Sequence, residues 1–115
     1  MGIRAGVDIK PGDDSNHINL RSRGKTTVAI LSTAAVDASE IDPLTVTVAG
    51  APVILKPNGT PMSSLEDVNG DGLLDLVVHV STAALQPGFE NECIVEGTTF
   101  DRQFVWGTDT IAVDQ

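Results

Sequence analysis

The sequence predicts an all-β fold of two packed antiparallel sheets, on three observations. Turn punctuation recurs along the whole 115-residue chain, at PGDD (11–14), DP (42–43), PNGT (57–60), NGDG (69–72), PG (87–88) and WGTD (106–109). The segments between these turns hardly accommodate helices of ordinary length. They are also rich in Val, Ile and Thr, whose branched Cβ suits a pleated, half-buried surface, and several alternate apolar and polar residues with a period of two.

Taken in order, Val7 and Ile9 flank Asp8 as a first strand, and TTVAILST (26–33) is apolar enough for a central strand covered on both sides. DASEID (37–42) predicts a short helical turn capped by Asp37 or Ser39. Val46 and Val48 alternate with Thr45 and Thr47, and PVILK (52–56) reads as a further strand. In the clearest case Leu74, Leu76, Val78 and Val80 point one way and Asp75, Val77, His79 and Ser81 the other. STAALQ (81–86) predicts a second helical turn, which Pro87 stops. The remaining strands are ECIVEG (92–97), RQFVW (102–106) and TIAV (110–113). Seven or eight strands at this spacing predict a two-sheet antiparallel β-sandwich, immunoglobulin-like in the broad sense, with the 67–75 loop inserted.

The length fits one domain, residues 1–115, expected to be a piece of a larger protein. Hydrophobic residues make up 41% and the formal charge is −9, which argues against nucleic acid and anionic membranes and for a cation as the charged partner. No apolar run approaches the roughly 20 residues that span a bilayer. Cys93 is the single cysteine, so no intramolecular disulfide can form and no Cys/His cluster can hold zinc. Its apolar setting, CIV, predicts a buried, inert thiol.

The chemistry concentrates in DVNGDGLLD, residues 67–75. Oxygen-bearing side chains stand at its first, third, fifth and ninth positions: Asp67, Asn69, Asp71 and Asp75. Gly72 is sixth, and the seventh, Leu73, is expected to offer its backbone carbonyl while its side chain faces the core. Calcium takes six to eight hard oxygen ligands, and a chain can wrap it with alternate residues only by turning sharply, which explains a glycine. An Asn-Gly or Asp-Gly pair alone also makes a hairpin turn, but three Asp and an Asn within nine residues, with no adjacent Lys or Arg, favour a metal.

This loop resembles the first nine positions of the EF-hand pattern D-x-[DN]-x-[DN]-G. It departs at the twelfth, where Val78 cannot supply a bidentate carboxylate. It also resembles the strand-associated calcium loops of integrin-type FG-GAP repeats; the motif occurs once here, so the resemblance implies a ligand pattern and not a propeller. A longer resemblance runs through VDIKPGDDSNHINLRSRGKTTVAIL, DPLTVTVAG and LEDVNGDGLLDLVVHV. These segments are similar to a module of secreted and surface proteins of bacteria and archaea that opens close to IDIKPGxxPNxINLxSxGxxPVAIL. Ser15 and Thr27 replace its usual prolines. The resemblance implies an extracellular or cell-surface location and no enzymatic activity.

The expectation is therefore a calcium-binding structural or adhesive module, with calcium, neighbouring domains and either a glycan or another surface protein as partners. The alternative is an accessory module that recognises glycan or protein through the ion, and a minor one is calcium-triggered self-processing at Asp42-Pro43. Asp8, Asp13, Asp14 and Asn16, around Pro11-Gly12, are candidates to complete the coordination sphere of the loop, to form a second cation site or to make a solvated turn, and Glu66 is a candidate for a further ligand or for a residue of the strand entering the loop. His17 and His79 belong to no catalytic constellation, and His79 is expected on a polar sheet face. Nothing selects a crosslinking partner for Lys10, Lys25 or Lys56, and the single Trp106 is expected in the core or as a plug at a strand end.

Overall fold

The Val, Ile and Thr segments do form strands, and a computed structural model describes residues 2–12 and 17–114. The strands are β1 (Ile3–Arg4), β2 (Gly6–Ile9), β3 (His17–Asn19), β4 (Lys25–Leu31), β5 (Ile41–Val48), β6 (Ala51–Pro52), β7 (Ser63–Glu66), β8 (Asp75–Ser81), β9 (Glu92–Thr99), β10 (Phe104–Thr110) and β11 (Ala112–Asp114). Both expected helical turns are present as single 3-10 turns, Ala38–Glu40 and Thr82–Ala84, and a third lies at Phe89–Asn91.

One sheet runs β1-β10-β9-β5-β6 and the other β2-β4-β8-β7, with a small β11-β3 pair beside them. The pairings are antiparallel except for β1 with β10 and β11 with β3. The chain is an all-β sandwich. Its core is built from the inward faces of both sheets: Val46 and Val48 on β5, Cys93 and Val95 on β9 and Val105 on β10 from one side, with Ile9, Val28, Ile30, Leu76, Val78 and Val80 from the other. Among the described residues every buried side-chain nitrogen or oxygen has a hydrogen-bond partner, one example being the buried Thr26 and Thr82 hydroxyls, 2.8 Å apart.

Several expectations are corrected. Leu74 precedes β8 and is exposed, while Asp75 and Val77, expected on a polar face, are buried. β8 is an inner strand between β4 and β7, and the Asp75 carboxylate at its start is held by the N–H groups of Ser32 and Val68. PVILK does not continue as a strand. Ala51 and Pro52 pair with β5, Val53 then bridges Val80 of the other sheet, and Leu55 bridges Pro61. The segment changes sheets, and Pro52 lacks the N–H a ladder needs. WGTD (106–109) is not a turn but the middle of β10.

Gly107 explains that last misreading, because it serves space and not a bend. The chain leaves β1 at Ala5, whose N–H donates to Trp106 O (2.7 Å), and crosses to the second sheet as β2. A Cβ at position 107 would collide with Ala5 O and stand 2.6 Å from Val7 Cγ2. Only glycine lets the crossing strand lie directly on β10. Gly107→Ala is expected to cost about 1–3 kcal/mol by overpacking, read as a lower urea midpoint at unchanged slope. A midpoint equal to wild type contradicts the close approach.

Candidate metal centre

The acidic loop joins β7 to β8, and it curls on itself through its own backbone. Gly70 and Gly72 sit at φ of 74° and 86°, in the left-handed region that favours glycine. Nothing lies within 4 Å of a Cβ built at either, so conformation rather than space selects glycine there. The curl aims successive N–H groups at Asp67. Its Oδ1 accepts from Gly70 N (2.9 Å) and Asp71 N (3.3 Å), and its Oδ2 from Gly72 N (2.9 Å). Asn69 Oδ1 accepts from Asp71 N (3.4 Å), and Asp71 Oδ1 from Leu73 N (2.9 Å).

Asp75 closes the loop from below. It is fully buried at the start of β8, with Oδ1 accepting from Ser32 N (2.8 Å) and Oδ2 from Val68 N (3.0 Å). Ser32 Oγ donates to Leu74 O (2.5 Å) and accepts from Ala38 N (2.8 Å). This carboxylate thus pins the end of β4, the start of the loop and, through Ser32, the 3-10 turn at Ala38–Glu40. Nothing local in the sequence marks Ser32, because it meets Asp75 across 43 positions.

The three aspartates converge. Asp67, Asp71 and Asp75 each offer a carboxylate oxygen, and these oxygens lie within 4.8 Å of one another. Two ligands on opposite sides of an ion at ~2.3–2.6 Å are about 5 Å apart, so one cation can reach all three. Each carboxylate has about four acceptor positions, which leaves capacity beyond the N–H groups already bound. The donors are hard oxygens, and the sequence holds no Lys or Arg between Lys56 and Arg102 to neutralise them. The residues present therefore fit a hard metal ion. Leu73 departs from expectation, since its side chain is exposed and not in the core.

The other candidates fall elsewhere. Glu66 pairs with Asp75 across β7 and β8 but is exposed, and it accepts from Ser64 Oγ (2.5 Å). Asp8 lies on β2, whereas Asp13, Asp14 and Asn16 fall outside the described residues. Asp42 and Pro43 lie in β5, where the pairing with β9 shifts register, and Asp42 Oδ1 accepts from Leu44 N (3.0 Å) as in an Asx turn. His79 Nδ1 lies 3.0 Å from Thr27 Oγ1 on the neighbouring strand. Lys10 Nζ donates to His17 O (2.7 Å), while Lys25 and Lys56 are exposed. Cys93 is buried, and burial first, then Asp109 and Glu92, push its pKa up to about 11, so it stays a thiol at neutral pH. Trp106 is neither core nor plug: it is half-buried on the outer face of the five-stranded sheet, with the Arg4 guanidinium 5.1 Å from its ring centre.

No family model, curated protein or solved structure matches the chain.

Two outcomes follow for the metal-free protein. The N–H of Gly72 first, with those of Gly70, Asp71 and Asn69, holds the Asp67 carboxyl below its ordinary 3.8 against a smaller opposing effect of desolvation. A depressed folded pKa means that this contribution to stability is intact above pH 3.8 and is lost only as pH falls further, through the folded value. The amide shifts of Gly70 and Gly72 should accordingly titrate with a midpoint below 3.8, and one at or above it refutes the splinting. Separately, Asp75→Asn leaves one buried N–H facing a carboxamide donor and is expected to cost about 1–3 kcal/mol. Exposed Asp71→Asn should stay within about 0.5 kcal/mol. Equal effects of the two in chelator would contradict the structural role of Asp75.

Proposed function

We propose that this chain is a calcium-stabilised structural or adhesive module of a larger secreted or cell-surface protein. The observation that carries the reading is the convergence of Asp67, Asp71 and Asp75 oxygens in a loop whose curl is set by its own backbone. Calcium is preferred to magnesium because it tolerates an irregular set of oxygen ligands, while magnesium demands a near-ideal octahedron. Asn69 and the Leu73 carbonyl complete the protein ligands, and water or a partner supplies the rest. The ion offsets most of the charge of three clustered carboxylates and ties the loop to Asp75 at the start of β8. No catalytic role is assigned.

The extracellular location follows from the same chemistry and from the resemblance noted above. Binding to the folded state stabilises by RT ln(1 + [Ca]/Kd), so millimolar calcium on a micromolar site adds about 4 kcal/mol. That gain needs calcium at extracellular concentration.

Thermal melts in calcium and in chelator test the proposal. The wild-type midpoint should rise in millimolar calcium and fall in EDTA, and magnesium at the same concentration should do less. An Asp67→Ala/Asp71→Ala variant should lose the response. A wild-type melt indifferent to EDTA, with no calcium by elemental analysis, sinks the proposal.

A further inference from the structure

The core contains no aromatic side chain. The chain has three Phe, one Trp and no Tyr, and all four aromatic residues lie outside it, with Phe89 88%, Phe100 62% and Phe104 42% exposed. Aromatic rings bury more area than other side chains and are enriched where proteins meet partners. One of them, Phe100, lines a cleft of about 600 Å3 between the 3-10 turn at Ala38–Glu40 and the β9–β10 hairpin.

The cleft has two kinds of wall. Ile3, Val36 and Val105 line it as buried or partly buried apolar surface, forming its floor. Asp37, Glu40 and Asp101 line it as exposed carboxylates, forming its rim. No Lys or Arg is among the lining residues. The walls are fixed to each other and to the fold: Phe100 N donates to Glu40 O (2.9 Å), Thr99 N to Gln103 O (2.9 Å) and Ala38 N to Ser32 Oγ (2.8 Å). Such a cleft is formed before its occupant arrives, which removes an ordering cost from binding.

We propose that this cleft binds a lysine or arginine side chain of a basic partner segment. An apolar floor beneath an acidic rim matches a side chain with an aliphatic stem and a cationic head. The Phe100 ring adds a face for the cation, and Arg4 over Trp106 shows a guanidinium on an aromatic face elsewhere in this molecule. The rim carboxylates do not converge as those of the acidic loop do; among the described residues only Asp67, Asp71 and Asp75 stand close enough to share an ion. The rim thus suits an extended cation and not a bare metal. A second copy is disfavoured as occupant, since each carries a net charge of −9.

The test is a titration of 15N-labelled protein with a hexa-arginine peptide in EDTA, which keeps it independent of the calcium reading. Saturable shifts are expected at the amides of Glu40, Phe100 and Asp101, weakening as salt rises. Hexa-glutamate should produce none. Glu40→Gln/Asp101→Asn keeps the shapes and hydrogen-bond acceptors but removes two rim charges, and should weaken binding about tenfold, while Glu90→Gln/Glu92→Gln, with the same loss of charge elsewhere, should change it less than about twofold. Equal effects of the two double variants reduce the binding to diffuse attraction and overturn the proposal. So do shifts confined to other surfaces, an absence of saturable binding, or equal binding of hexa-glutamate.

Discussion

A carboxylate removed from water is costly unless its oxygens are satisfied, and the placement of Asp75 organises much of this fold around that requirement. Its partners are backbone N–H groups of Ser32 and Val68, which lie on either side of a long excursion of the chain. Val68 and Asp75 bracket the acidic loop, so one side chain fixes both its beginning and its end. The convergence of Asp67 and Asp71 on the same point follows from that closure together with the two left-handed glycines.

Ser32 extends the same constraint outward. Its hydroxyl receives Ala38 N and so carries the 3-10 turn whose side chains Asp37 and Glu40 edge the acidic cleft. Loop and cleft are therefore two ends of one hydrogen-bonded chain that passes through a buried acid. A local distortion at Asp75 has a direct covalent and hydrogen-bonded route to the turn at Ala38–Glu40.

Features set by neighbouring residues were legible in the sequence. Alternation identified β5, where Val46 and Val48 are buried beneath the exposed Thr45. The Asp37 cap marked its 3-10 turn, with Oδ1 accepting from Ser39 N. The glycine spacing and oxygen pattern marked the loop, because a site built from nine consecutive residues leaves its whole record in one place. What depended on distant contacts was not legible. Period-two logic assigned Leu74 to the core and Asp75 to a polar face, and burial is the reverse, because the loop exposes its last leucines while Ser32 draws the acid inside. Gly107 looked like a turn because a close strand crossing and a bend ask for the same residue. Trp106 looked like core or a strand-end plug because a large apolar ring is usually buried, yet this interior is filled by aliphatic side chains and a cysteine.

That division between an aliphatic interior and an aromatic exterior has an optical consequence. The only indole sits half-buried on a sheet face, under a guanidinium and between β1 and β9. Its emission therefore reports the state of that outer surface more directly than the packing of the interior. For this molecule the intrinsic fluorescence signal is a built-in gauge of what touches the outside.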